Sequence, residues 1–109
     1  MLTLAYEKQR RSRRLLLKVP LVVSGEAEGK EAFREDTFTL VVNAHGALVV
    51  LAAKLAVGQK LLVMNAETLE QREGTVAYLG SPYDGLTKVG IEFTQPAPEF
   101  WPVGSLPDA

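Results

Sequence analysis

Gln9-Arg10-Arg11-Ser12-Arg13-Arg14-Leu15 is the stretch of this sequence richest in reactive groups. Its guanidinium groups are charged at any physiological pH, and each presents a planar fork of donors. That fork fits the oxygens of a phosphate and the O6/N7 edge of guanine, and its flat face stacks on bases. Arg10, Arg11, Arg13 and Arg14 are therefore the first candidates for holding a phosphate-bearing ligand. Lys8 and Lys18 extend the stretch, so six of the twelve Lys and Arg residues fall between positions 8 and 18, with no acid among them. Apart from Glu7, every acid lies beyond Lys18. A net charge of −1 hides this asymmetry, which creates a local positive field on a near-neutral chain. The plainer meanings of such a run are a solvated basic tail or a nonspecific contact to RNA or DNA.

Other chemistry is sparsely supplied. His45 is the only histidine, and there is no cysteine. Disulfides, thiolate metal sites and cysteine nucleophiles are thereby excluded. A zinc site would need several carboxylates around one imidazole. No nucleophile elbow is present, and no glycine-rich phosphate loop leads into a helix. Taken alone, His45 reads as a turn or rim residue with ordinary hydrogen bonds. The chain is not expected to be an enzyme, and no cofactor is implied.

The elements that must position these residues are short and extended. From Leu15 to Val23 the chain is strongly apolar and branched, and Pro20 argues for a strand over a helix. Because Pro20 removes a ladder donor, this strand is expected at an edge or with a bulge. Ser24 to Glu31 reads as a hairpin loop, and Phe33 to Val42 as a second strand. Asn43-Ala44-His45-Gly46 is a tight turn, since Asn and Gly tolerate left-handed backbone. Strands follow at Ala47–Leu51, Lys60–Met64, Gly74–Leu79 and Lys88–Phe93. They are separated by turns at Val57–Gln59, Asn65–Glu70 and Ser81–Gly85. In the tail, Gln95-Pro-Ala-Pro-Glu-Phe-Trp-Pro is expected to form one helical turn that lays Phe100 and Trp101 across an open barrel end.

Six short strands with turn signals between them predict an all-β domain, and closure into an antiparallel barrel removes exposed edges. A chain of 109 residues with 47% hydrophobic and 23% charged residues is one globular domain. The expected division is an N-terminal arm at 1–9, a barrel domain at 10–103 and a C-terminal tail at 104–109. No apolar run reaches the roughly 18 residues needed to span a bilayer, and the first residues are not a signal peptide. No membrane insertion and a cytoplasmic location are expected.

An R-x-x-x-R pair before an apolar strand, followed by a D-x-S-x-x-G motif running from strand into turn, is the signature of PilZ domains. This sequence resembles that family over nearly its whole length. Arg10 and Arg14 match the arginine pair, and Leu21-Val-Val matches the strand after it. Val41-Val-Asn-Ala-His-Gly46 aligns with the second motif, and Ala47-Leu-Val-Val-Leu with the apolar strand that follows. Val57-Gly-Gln-Lys-Leu-Leu-Val and Val89-Gly-Ile-Glu-Phe resemble the family's later turn and strands. The resemblance implies a six-stranded β-barrel that binds the bacterial second messenger cyclic di-GMP, with Arg10 and Arg14 on phosphates and guanine edges. Arg11 and Arg13 would add contacts or charge. It also makes Asn43, His45 and Gly46 ligand-binding candidates. The sequence departs from the motif at two places: the Asp is Val41 and the Ser is Asn43. In the family, the Asp accepts hydrogen bonds from guanine N1–H and N2–H₂, which a valine cannot do.

These residues leave three functional expectations. A stand-alone cyclic di-GMP sensor would order its arginine arm on binding and modulate an effector protein. A degenerate PilZ-like module would have lost the messenger and would act by protein contact. A basic arm touching RNA or DNA would show steep salt dependence and no preference for a dinucleotide; specific nucleic-acid recognition is not expected.

Overall fold

A computed structural model describes residues 15–27 and 30–101. The six expected strands are all present: β1 (Pro20–Glu26), β2 (Ala32–Asn43), β3 (Gly46–Leu51), β4 (Lys60–Asn65), β5 (Gln71–Leu79) and β6 (Thr87–Phe93). Every neighbouring pair is antiparallel, and the order β1-β2-β3-β6-β5-β4 closes on itself through β1 and β4. The chain is therefore a closed six-stranded antiparallel barrel, as the turn spacing predicted. The boundaries at 1–9 and 104–109 lie outside the described residues.

Closure follows from the side-chain alternation. Leu21 and Val23 of β1, Val49 and Leu51 of β3, Leu61 and Val63 of β4, and Val89 and Ile91 of β6 point inward and are almost fully buried. Alternate residues face outward, as a pleated strand requires. Mostly branched side chains fill the narrow interior, which suits their stiffness at χ1. One end is plugged by aromatics. A 3₁₀ turn at Pro98–Phe100 folds Phe100 and Trp101 inward to 1% and 2% exposure. Phe93 meets Phe100 edge-on at 5.4 Å and stacks on Trp101 at 5.8 Å. This is the expected helical turn across the barrel end.

Two expectations need correction. With β1 paired to both β2 and β4 there is no edge strand. The sheet accommodates Pro20 by placing it first in β1, where the missing donor costs little. The strand also does not run unbroken from Leu15. Leu15 forms one isolated bridge to Val42, and regular β1 starts five positions later.

Thr39 explains the interruption. It is 1% exposed, and its hydroxyl accepts from the Val19 backbone N–H at 2.8 Å and donates to the Leu17 carbonyl. A side chain thus replaces the ladder for one step while the Thr39 amide donates to the Val19 carbonyl. Thr39→Val keeps the shape but orphans two partly or fully buried backbone groups. It should destabilise the fold by about 2–3 kcal/mol, read as a lower urea midpoint; a loss below about 0.5 kcal/mol would assign the interruption to another cause.

Asn65 is the second buried polar residue, and in the sequence it has the look of ordinary loop polarity. It is completely buried at the end of β4. Its Oδ1 accepts from the Glu67 and Thr68 amides, and its Nδ2 donates to the Phe100 carbonyl at 3.0 Å. One amide side chain therefore shapes the β4–β5 turn and holds the aromatic plug in place.

Candidate ligand-binding site

The turn between β2 and β3 is built from its own side chain and from the C-terminal segment. Asn43 ends β2, and its Oδ1 accepts from the His45 backbone N–H at 2.8 Å, closing an Asx turn over Ala44. The three carbonyls of Asn43, Ala44 and His45 all receive donors from downstream. Trp101 Nε1 donates to Asn43 at 2.8 Å, the Ala97 amide to Ala44 at 2.7 Å and the Phe93 amide to His45 at 2.7 Å. The turn is consequently held by the same aromatic plug that closes the barrel. No signal in the sequence linked Trp101 to Asn43, since fifty-eight residues separate them.

Gly46 opens β3 with no spare volume. A Cβ at this position would lie 1.9 Å from the Ile91 carbonyl oxygen and 2.9 Å from its carbon. The β6 backbone approaches so closely that only hydrogen fits. This glycine therefore has a structural cause independent of any ligand.

Val41 lies on the outer wall, two residues before Asn43. The β2–β3 register shifts between Thr39 and Val41, so that Thr39 faces Val49 inside while Val41 pairs with Leu48 outside. Leu48 pairs with Gly90, and Gly90 with Tyr78. Val41, Leu48, Gly90 and Tyr78 thus form one row across four strands, and the row carries no carboxylate.

The arginine run joins this region through the backbone. Leu15 follows Arg14 directly and exchanges two hydrogen bonds with Val42, at 2.8 and 2.9 Å. The chain enters the barrel beside Val42, the second residue of the second motif. Of the seven candidates, Asn43, His45 and Gly46 fall together in one turn, whereas Arg10, Arg11, Arg13 and Arg14 lie outside the described residues. Among the described residues, no group of three or more His, Asp or Glu side chains is placed to hold a metal ion, and no helix is long and apolar enough to cross a membrane.

The described residues form a closed six-stranded antiparallel barrel whose N-terminal entry is bridged to Val42 near the end of β2, an architecture consistent with the PilZ-like barrel expected from the sequence. In particular, the structure is similar to that of the Bacillus subtilis inhibitor of motility (MotI/DgrA), with a TM-score of 0.59 and 21% sequence identity over 82% of this chain. The match covers 44% of that protein, so the present chain spans less than half of its length. No family model matches the sequence. No curated protein matches it either.

Proposed function

We propose that this chain is a regulatory PilZ-like domain that binds cyclic di-GMP between its arginine run and the Asn43–Gly46 turn. The observation that supports the reading is the Leu15–Val42 bridge, since Leu15 is the residue that follows Arg14 in sequence and Val42 belongs to the second motif. Arg10 and Arg14 supply the phosphate and guanine contacts, and Arg11 and Arg13 add positive potential. Asn43 Oδ1 is already committed to the His45 amide; a carbonyl oxygen has a second lone pair for a ligand donor. Ordering of the arm on binding then presents a new surface to an effector protein. The similarity of the fold to an inhibitor of motility supports a regulatory role over an enzymatic one.

Val41 favours a second reading, in which the domain has lost the messenger and acts by protein contact alone. Titration calorimetry separates the two. The intact protein should release or absorb heat with cyclic di-GMP at about 100 μM, in the range where an affinity of about −5 to −8 kcal/mol is measurable. Arg10→Ala and Arg14→Ala should each abolish that signal. A flat isotherm together with no thermal shift would leave the protein-contact reading standing.

A further inference from the structure

The outer wall formed by β2, β1, β4 and β5 is apolar at its centre and charged at its margins. Strand register sets its side chains in rows. One row runs Arg34, Ser24, Leu62, Glu73, and the next runs Asp36, Val22, Met64, Gln71. These residues face away from the core, because their chain neighbours Val23, Leu61 and Val63 point into it. The solvated face of an antiparallel sheet is ordinarily polar. Here β1 and β4 present Val22, Leu62 and Met64 at the centre, with Leu62 43% exposed. Arg34 and Asp36 on β2 and Gln71 and Glu73 on β5 are exposed at the two margins. An apolar centre inside a polar rim is the anatomy of a protein contact surface.

We propose that this wall packs on the same wall of a second copy, about a two-fold axis that runs along the strands between β1 and β4. Charge complementarity selects this occupant. Such an axis lays β1 over β4 of the other protomer and β2 over its β5, row upon row. Arg34 then meets Glu73 of the other protomer, and the symmetry forms that ion pair twice. In the next row Asp36 meets Gln71, whose amide donates to the carboxylate, again twice. Between the margins Leu62 covers Ser24 and Val22 covers Met64, which takes the apolar centre out of water. Glu73 has an intramolecular cation, Lys60, at 3.7 Å, but both side chains are half exposed or more, so the carboxylate is open to a second partner. The wall sets Arg34 and Lys60 against Asp36 and Glu73, a balance that attracts neither a nucleic-acid backbone nor an anionic lipid surface. Four strands about 4.8 Å apart, over about six residues of each, cover roughly 20 Å by 20 Å. A patch of that size supports weak, reversible association, not an obligate dimer. The pairing is independent of cyclic di-GMP, because it uses neither the arginine run nor the Asn43–Gly46 turn.

Sedimentation equilibrium with the full chain tests it. The protein should be monomeric at about 1 μM and largely dimeric at about 500 μM, as a dissociation constant of about 10–100 μM requires. Arg34→Glu and Glu73→Arg should each weaken association by roughly tenfold or more, because one change turns both symmetric attractions into repulsions. Both side chains are exposed, so each variant should melt close to wild type. Mixing the two variants should restore the dimer, since the reversed charge of one protomer meets the reversed charge of the other. A chain that is still monomeric at about 500 μM, a dimer indifferent to both reversals, or a mixture that stays monomeric would each overturn the proposal. A monomer that floats with phosphatidylglycerol vesicles, and ceases to on Leu62→Asp, would assign the wall to lipid instead.

Discussion

Gly46→Ala should cost at least about 4 kcal/mol of stability, beyond the range of an ordinary single substitution. A methyl group here would sit 1.9 Å from the Ile91 carbonyl oxygen, far inside van der Waals contact. The clashing atoms are backbone, so no side-chain rotation relieves them. Relief requires prising β3 from β6 at the Gly46–Glu92 pair, where the His45 carbonyl also receives the Phe93 amide. The Asx turn and the Trp101 anchor sit on that junction, so the loss propagates into the aromatic plug. For a domain of this size, about 4 kcal/mol corresponds to a fall of about 15–30 °C in melting temperature. Gly58→Ala is the internal control. Gly58 has a φ of +95°, yet nothing lies within 4 Å of its missing Cβ. Replacing it imposes conformational strain alone, about 1–2 kcal/mol. Equal melting temperatures for the Gly46→Ala and Gly58→Ala proteins would show that β3 and β6 can separate at this point at little cost.

That contrast also bears on what a retained glycine means. In the sequence, Gly46 counted as the surviving member of a ligand-binding motif. In the structure, it is required by the packing of β6 whether or not a ligand binds. The fold was readable because period-two alternation and turn residues at Asn43, Gly58 and Asp84-Gly85 leave few alternatives to short antiparallel strands. Pro20 was readable as a special position, but a lone sequence cannot tell an edge from a first residue. Thr39 and Asn65 escaped notice for a common reason. Both are buried polar residues whose partners lie on other segments: Thr39 bonds back to Leu17 and Val19, and Asn65 forward to Phe100. Local propensity carries no trace of such pairings. Of the candidate site, the residue types alone were legible. The Leu15–Val42 bridge, which brings the residue after Arg14 beside the second motif, and the Trp101–Asn43 bond, which anchors the turn, are long-range backbone and indole hydrogen bonding that no spacing encodes.

Val41→Asp should tighten cyclic di-GMP binding by roughly 30–150-fold, the equivalent of about 2–3 kcal/mol for a charged acceptor restored to its donors. Val41 is the position on which the base-reading half of the proposed site depends. It sits on the outer wall, half-buried and paired with Leu48, two residues before the Asx turn. A carboxylate there would stand on the same side of the sheet as the apolar row, where water is partly excluded and a hydrogen bond to guanine N1–H and N2–H₂ gains strength. The exchange carries a cost to the fold. Asp is a poor strand former, and part of a valine's burial is lost, so the variant should be less stable by about 1 kcal/mol without ligand. Stability and affinity should therefore move in opposite directions. A nonspecific effect of the added negative charge predicts the reverse for an anionic ligand, namely weaker binding. Titration of wild type, Val41→Asp, Arg14→Ala and the double variant tests whether the gain depends on the arginine run. A gain of affinity in the Val41→Asp protein, with binding still abolished when Arg14 is also removed, would show that the gain belongs to the same arginine-dependent site. Unchanged or weakened binding by the Val41→Asp protein would mean that the outer wall beside Leu48 does not face the base, and that the second motif has been assigned to the wrong residues.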